Sequence, residues 1–194
     1  EHANARASLS TQHKLDPDSP ILVTVAMMRD DAKLQSYEVL GEALKLLGAP
    51  WQLVVVGDGS ARNKVEGYLG RERVTYLGEL PETEIAVVLA ASDIFVWPAI
   101  NEAYGMAMLE AQSMGLPVVA GRTGGVADII RDQETGLLSE VGIAPDFADK
   151  VDHLLNNQAE RNAMSEKAIQ IIRVEHSIET AAEILDRTLE GLIK

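Results

Sequence analysis

At 194 residues, with 46% hydrophobic and 24% charged, the chain has the size and composition of one globular domain, which excludes disordered, collagen-like and mini-protein architectures. Its 17 basic and 30 acidic residues leave a net charge of −13, which argues against a nucleic-acid partner and against docking on an anionic membrane, because both require a basic surface. It has no cysteine, four scattered histidines and no apolar run near the roughly 20 residues that span a bilayer, so it indicates no disulfide, no metal site and no membrane-spanning segment.

The first twenty residues are polar, lack a clear hydrophobic period and begin with Glu1 rather than Met. They predict a linker or lead segment at 1–20, as expected if the chain were cut from a longer one. A processed N-terminus is the alternative interpretation.

From Ile21 onward the pattern alternates between strands and helices. Apolar runs rich in β-branched residues predict buried strands at 21–28, 51–57, 74–78, 94–98, 117–121 and 136–140. Helical spacing predicts intervening helices at 34–48, 60–70, 81–91, 104–115 and 126–131, with Ser60 capping the second of them. This alternation predicts right-handed βαβ units and hence a doubly wound, mainly parallel α/β sheet of the Rossmann type.

After Pro145 the strands stop, and helices are predicted at 147–155, 160–172 and 178–192. The last of these has an apolar stripe formed by Ile178, Ala181, Ala182, Leu185, Leu189 and Leu192. Packing on the chain's own domain explains most of the stripe. Some exposed apolar surface, or self-association through it, is also expected.

In an open parallel sheet, ligands bind beyond the carboxyl ends of the strands, so the loops there carry the candidate sites. The first is VVVGDGSAR at 54–62, which resembles part of a dinucleotide-binding fingerprint. Arg62 occupies the place of its third glycine, and no acidic residue ends the next strand, although Glu79 is close. A tight strand-to-helix turn is therefore favoured over an NAD site.

The second candidate is the acidic pair Glu102 and Glu110 in the stretch 101–120. Eight residues of helix rise about 12 Å, roughly the reach from a sugar across a diphosphate to a ribose. Gly105 lies at the start of this helix, where free N–H groups and the helix dipole favour phosphate. Taken alone, two solvated helix carboxylates remain the simpler interpretation.

The third candidate is the pair of cations Arg29 and Lys33, which follow the first strand. They could neutralise a diphosphate. A surface ion pair between Arg29 and Asp30 or Asp31 is an equally good reading of these residues alone.

Together, these segments resemble the C-terminal, donor-binding domain of the retaining group 1 nucleotide-sugar glycosyltransferases, a family built from two facing Rossmann-like domains (the glycosyltransferase B fold). The resemblance covers about residues 20–193. It is carried, in order, by Arg29 and Lys33, VVVGDGS, VTYLGEL at 74–80, the pair Glu102 and Glu110 followed by GLPVVAG, and GGVADIIRDQETGLL at 124–138.

The resemblance implies a role for each matching position. Arg29 and Lys33 would hold the diphosphate of the donor, Glu102 would accept hydrogen bonds from hydroxyls of the transferred sugar, and the three would form the catalytic set. The donor would otherwise be bound by Gly57, Gly59, Leu77, Tyr104, Gly105, Met106, Ala107 and Glu110, with Glu110 on the ribose. It also implies a UDP-, GDP- or ADP-sugar as substrate, no bound metal and no further cofactor, so that cations and a helix N-terminus stabilise the leaving group.

The chain departs from the family's pattern in its glycines. Met28 and Leu34 stand where glycines usually flank the phosphate-binding pair, and the short spacing makes Lys33 the weaker of the two assignments. The usual Gly-Phe-Gly after the first glutamate is here Ala103, Tyr104 and Gly105.

The resemblance also predicts the domain organisation. Residues 21–175 would form the nucleotide-sugar-binding domain, and 176–194 a helix that packs back toward an N-terminal acceptor domain carrying the catalytic histidine. Residues 1–20 cannot supply that domain. The chain is therefore expected to be the donor half of a hexosyltransferase, inactive alone and cytoplasmic, whose intact form could act at a membrane face.

Three other functions stay open at this point. A nucleotide-sugar epimerase of related two-domain fold would interconvert free donors without an acceptor. A non-catalytic Rossmann-like module would bind no nucleotide. An NAD-dependent enzyme would need the missing third glycine.

Overall fold

A computed structural model of the chain describes residues 2–177, 180, 182 and 185–189. Over these residues six strands form one sheet, flanked by eight helices. The strands are β1 (Ile21–Val25), β2 (Gln52–Val56), β3 (Val74–Gly78), β4 (Ile94–Trp97), β5 (Val118–Gly121) and β6 (Gly136–Ser139). The helices are α1 (His2–His13), α2 (Ala32–Leu44), α3 (Arg62–Leu69), α4 (Glu82–Ala91), α5 (Met106–Ser113), α6 (Val126–Ile129), α7 (Ala144–Asn156) and α8 (Gln158–Glu175).

The strand order is β3-β2-β1-β4-β5-β6, and every pairing in the described sheet is parallel. In the centre, Val23 pairs with Val54 on one side and with Phe95 on the other. All three side chains are fully buried, because helices cover both faces of the sheet. The predicted doubly wound α/β class is confirmed. β2 and β3 lie on one side of β1, and β4 to β6 lie on the other, so the strand order reverses between β1 and β4. The loops that follow these two strands face each other at this point.

The segment predicted as a linker contains a helix. α1 packs against α4, and Leu9 is buried between them. Arg6 donates to Asp93 Oδ2 at 2.7 Å, and the same oxygen accepts the backbone N–H of Ile21 at 2.7 Å. The lead is thus fixed to the start of β1. Its helix had no clear signal because Ala, Ser and His dominate its sequence.

Several other boundaries differ from the sequence-based prediction, and two of them have a clear structural reason. β1 ends at Val25 rather than at residue 28, because the next backbone segment bonds to the turn after β2, with Met28 N–H donating to Asp58 O. α3 begins at Arg62 after Ala61, so Ser60 is not its cap.

Part of the predicted C-terminal helix lies outside the described residues. These positions are Ile178, Ala181 and Leu192 of the apolar stripe. Leu185 and Leu189 are described as helical and exposed.

Candidate functional site

A cleft of about 500 Å³ opens at the carboxyl edge of the sheet. Its walls come from the loops that follow β1, β2, β3 and β4, and from the first turns of α2 and α5. It lies beside the point where strand order reverses, which is where ligands bind in open α/β sheets. The predicted residues that line it are Lys33, Gly57, Glu102, Tyr104, Gly105, Met106 and Ala107.

Lys33 and Glu102, which are 69 residues apart in sequence, form an ion pair inside this cleft. Lys33 Nζ lies 3.1 Å from Glu102 Oε2, and both side chains are more than two-thirds buried. Trp97 Nε1 donates to the same oxygen at 3.3 Å. One carboxylate oxygen therefore accepts hydrogen bonds from two donors, one on α2 and one on β4.

The first turns of α2 fix the positions of Lys33 and Tyr37. Asp31 caps the helix by accepting the backbone N–H of Lys33 at 2.8 Å. One turn later, Tyr37 is fully buried and its hydroxyl donates to Ala26 O at 2.8 Å. Burial raises the pKa of Tyr37, so this hydroxyl stays protonated. Its ring meets Trp97 edge to face, with centroids 5.0 Å apart.

The loop between β4 and α5 carries Glu102 in a strained conformation. Ala99 and Asn101 adopt φ angles of 55° and 53°, in the left-handed region that non-glycine residues rarely occupy. Such residues cost about 1–3 kcal/mol each and persist where surrounding contacts impose them. One such contact lies between them, where Ile100 N–H donates to the buried Ser36 Oγ of α2 at 2.9 Å. α2 thus sets the position of Glu102 as well as that of Lys33.

Gly105 begins α5 with a φ of 97°, and a Cβ there would lie 2.2 Å from Met108 Cε. The backbone N–H groups of Met106 and Ala107, at the start of the helix, have no partner within it. Met106 and Ala107 line the same cleft as Lys33. A helix start next to a lysine is an arrangement that favours an anion such as a phosphate.

The two glycines of VVVGDGS are explained by packing within the protein. A Cβ on Gly57 would lie 2.0 Å from Ala26 O, and one on Gly59 would lie 2.4 Å from Met28 O. The turn after β2 therefore crosses directly over the backbone that leaves β1. Arg62, in the place of a third fingerprint glycine, forms ion pairs with Asp58 and Glu66. Nothing in this turn supports the NAD alternative.

Four predicted residues lie outside the lining of the cleft: Arg29, Gly59, Leu77 and Glu110. Arg29 is exposed in the loop before α2, and among the described residues no carboxylate pairs with it. The alternative surface pair with Asp30 is absent, since Asp30 pairs with Lys64 at 2.7 Å.

Glu110 is exposed on α5, just over one turn after the helix begins at Met106. Partial burial and, to a smaller extent, the charge of Glu82 raise the pKa of its carboxyl. A carboxylate held in this way gains from any hydrogen-bond donor that approaches it.

Sequence reasoning missed Trp97 and Tyr37 as parts of the site. A signal was present for each. Trp97 is the last residue of a buried strand at its carboxyl end, and Tyr37 lies one helical turn after Lys33. What sequence could not show is that the two rings meet and that the indole reaches Glu102.

Lys33 is the one positively charged residue in the described lining of the cleft. Across the described residues, no three His, Asp or Glu side chains are grouped to hold a metal ion. No helix within that part of the chain is both long and apolar enough to cross a membrane.

Comparison with known proteins relates the chain to glycosyl transferases. The family model described as glycosyl transferases group 1 matches residues 6–171. Alpha-D-kanosaminyltransferase from Streptomyces kanamyceticus is 30% identical over 184 residues, which covers 93% of this chain and 47% of that protein. Sucrose-phosphate synthase from Thermosynechococcus elongatus has a TM-score of 0.83 at 26% identity, over 98% of this chain and 49% of its own.

A second solved structure, Anabaena Alr3699/HepE in complex with UDP and glucose, has a TM-score of 0.84 at 20% identity, over 97% of this chain and 52% of its own. At that identity the likeness is one of fold. In all three comparisons, the chain spans about half the length of the relative that it matches.

Proposed function

The chain belongs to the group 1 glycosyltransferases, and from that membership we propose that it is the donor-binding half of a retaining hexosyltransferase. The observation that carries the proposal is the juxtaposition of Lys33 and Glu102, 3.1 Å apart, beside the start of α5 at the switch in strand order. A cation and free helix N–H groups suit a diphosphate, and a carboxylate suits the hydroxyls of a sugar.

In this proposal, the diphosphate lies between Lys33 and the backbone N–H groups of Met106 and Ala107. Arg29, which is exposed in the loop between β1 and α2, contacts the phosphates from the solvent side. These groups stabilise the negative charge that develops on the leaving nucleoside diphosphate, which is the task a metal ion performs in other transferases. The proposed mechanism is therefore metal-independent.

Glu102 accepts hydrogen bonds from hydroxyls of the transferred sugar, and Glu110 from the ribose. Both roles use the ability of an ionised carboxylate to accept from two neighbouring hydroxyls. The raised pKa of Glu110 supports its role, because donated hydrogen bonds would compensate for lost hydration and for the charge of Glu82.

The acceptor and the remaining catalytic groups are proposed to lie in a second domain that precedes this one. The relatives support this, since they are about twice as long as the chain. One of them is named as a kanosaminyltransferase, and a structure of the same fold holds UDP and glucose. UDP is therefore the first nucleotide to test.

The test is calorimetric titration of the chain with UDP, GDP, ADP and NAD. We expect one nucleoside diphosphate to bind selectively and Glu110→Gln to weaken its binding by about tenfold, the effect of losing a hydrogen bond to a charged group. Glu134→Gln is the matched control, because Glu134 is exposed near the opposite edge of the sheet. Selective binding of NAD, or equal affinity in both variants, would contradict the assignment.

A further inference from the structure

Trp97 contacts the proposed sugar-binding carboxylate from the interior of the protein. It is the last residue of β4 and only 3% exposed. Its Nε1 donates to Glu102 Oε2 at 3.3 Å. The indole therefore reaches Glu102 from the buried wall of the cleft, which Trp97 helps to line.

The indole ring is fixed by its neighbours. Tyr37 meets it edge to face at 5.0 Å with an interplanar angle of 79°. Tyr37 is itself held by its hydrogen bond to Ala26 O. On the strand side, the backbone of Trp97 pairs with Ala120 of β5. A ring held in this way can orient a carboxylate without losing further conformational entropy.

Lys33 shares the same carboxylate oxygen but is held much less firmly. Its ammonium lies 3.1 Å from Oε2 and 5.6 Å from the centre of the Trp97 ring. A lysine has four rotatable bonds and three equivalent donors, so it can turn to a phosphate when one arrives. The indole has a single N–H and cannot follow. Among the described residues, the other oxygen, Oε1, has no hydrogen-bond partner.

We infer that Trp97 is a positioning residue: its indole N–H holds Oε2 of Glu102, so that Oε1 is presented to the hydroxyls of the transferred sugar even when Lys33 has moved to the diphosphate. The inference rests on the proposed function, in which Glu102 contacts the sugar. It adds a residue that touches no substrate and sets how strongly the sugar, rather than the nucleotide, is bound.

The chain contains a matched control for this role. Its second tryptophan, Trp51, is also buried, at 7% exposure, but its Nε1 has no hydrogen-bond partner among the described residues. It precedes β2 at the opposite edge of the sheet. Trp97→Phe and Trp51→Phe remove the same atoms, and only the first removes a hydrogen bond to Glu102.

The first measurement needs no ligand. In the Trp51→Phe chain, Trp97 supplies the one indole N–H, which gives a single ¹H–¹⁵N resonance. We expect Glu102→Ala to move that resonance upfield, since a hydrogen bond to a charged acceptor is lost, and Glu134→Ala to leave it in place. An unmoved resonance in Glu102→Ala overturns the inference.

The second measurement separates sugar from nucleotide. The Kd of the nucleoside diphosphate that binds is compared with that of its glucose conjugate, UDP-glucose, GDP-glucose or ADP-glucose. In Trp97→Phe, we expect the ratio of the conjugate's Kd to the diphosphate's Kd to rise about fivefold, and in Trp51→Phe to stay unchanged. An unchanged ratio in Trp97→Phe, or a parallel loss of both affinities, overturns the inference.

These outcomes also distinguish the inference from its premise. Failure of the unaltered chain to bind any of the three diphosphates contradicts the proposed donor site. The indole resonance then still decides whether Trp97 holds Glu102.

Discussion

On the inner side of the cleft, Lys33 and Trp97 hold Glu102 between two elements of the fold, whereas on its outer side Arg29 and Glu110 are exposed and contact no partner of opposite charge among the described residues. Glu102 is therefore oriented before any ligand arrives, by the fixed indole of Trp97 and by the more mobile ammonium of Lys33. The outer groups can gain hydrogen bonds and charge neutralisation only from a ligand. A preorganised inner part favours orientation of the reacting sugar, and an open outer part favours entry and capture of the nucleotide.

The largest effect is expected in the turn after β2, where Gly57 lines the cleft. Gly57→Ala should reduce the free energy of unfolding by about 3 kcal/mol or more, because the new Cβ would lie 2.0 Å from Ala26 O at a φ of 132°. Chemical denaturation measures this. Gly67→Ala is the control, since its Cβ meets nothing within 4 Å in the middle of α3.

Gly67→Ala should instead increase the free energy of unfolding by about 0.5–1 kcal/mol, as expected for glycine replaced within a helix. Equal effects of the two variants would show that the turn after β2 is not fixed by contact with the β1 backbone. The wall of the cleft at Gly57 would then not be rigid, which would contradict the view that the inner side of the cleft is preorganised.

The two cations, Lys33 and Arg29, should differ in how strongly salt changes their contribution to binding. Lys33→Met should weaken nucleoside diphosphate binding by about 10- to 100-fold, and Arg29→Ala by roughly tenfold, as expected for charged hydrogen bonds. The effect of Arg29→Ala should shrink strongly between low and high salt, because exposed charges are screened, while that of Lys33→Met should persist. Calorimetry at two salt concentrations measures both.

Lys150→Met serves as the control for this pair, since Lys150 pairs with Asp146 on α7, outside the cleft. It should leave the affinity unchanged at either salt concentration. If Lys33→Met and Arg29→Ala respond to salt alike, the distinction between a largely buried, paired cation and an exposed cation with no carboxylate partner among the described residues is wrong.

How far the sequence predicts this molecule differs between the sheet and the site. The strands were predictable because most of their residues are apolar, as expected for strands such as β2 and β4 that are buried along their whole length. α1 was not, because a helix rich in alanine and serine with a single buried leucine carries almost no hydrophobic period.

Within the site, residue types were predictable but their neighbours were not. Glu102 and Lys33 were both identified, yet their contact depends on how the loops after β1 and β4 meet. Gly57 and Gly59 were identified as places of close approach to a ligand, whereas their closest neighbours are Ala26 and Met28 of the same chain. The glycines of a motif indicate that another group lies too close for a side chain, but they do not indicate whether that group is a ligand or the protein's own backbone.

The smallest predicted effect concerns Glu110 and the pH. Burial and the charge of Glu82 raise the pKa of Glu110, so the folded chain binds this proton more tightly than the unfolded chain does. Its contribution to stability is therefore complete below the unfolded pKa of about 4.3 and is lost as the pH rises through the folded value. Glutamine does not titrate, so Glu110→Gln should have the higher Tm at neutral pH, and its advantage should disappear near pH 4.

Thermal unfolding of both proteins across this pH range measures the difference. Glu82→Gln should reproduce part of the gain, because it removes the smaller of the two causes. A Tm difference that does not change with pH would show that the outer carboxylate carries no electrostatic cost. Glu110 would then have no need of a ribose donor, and its assignment to the nucleotide would rest on position in the helix alone.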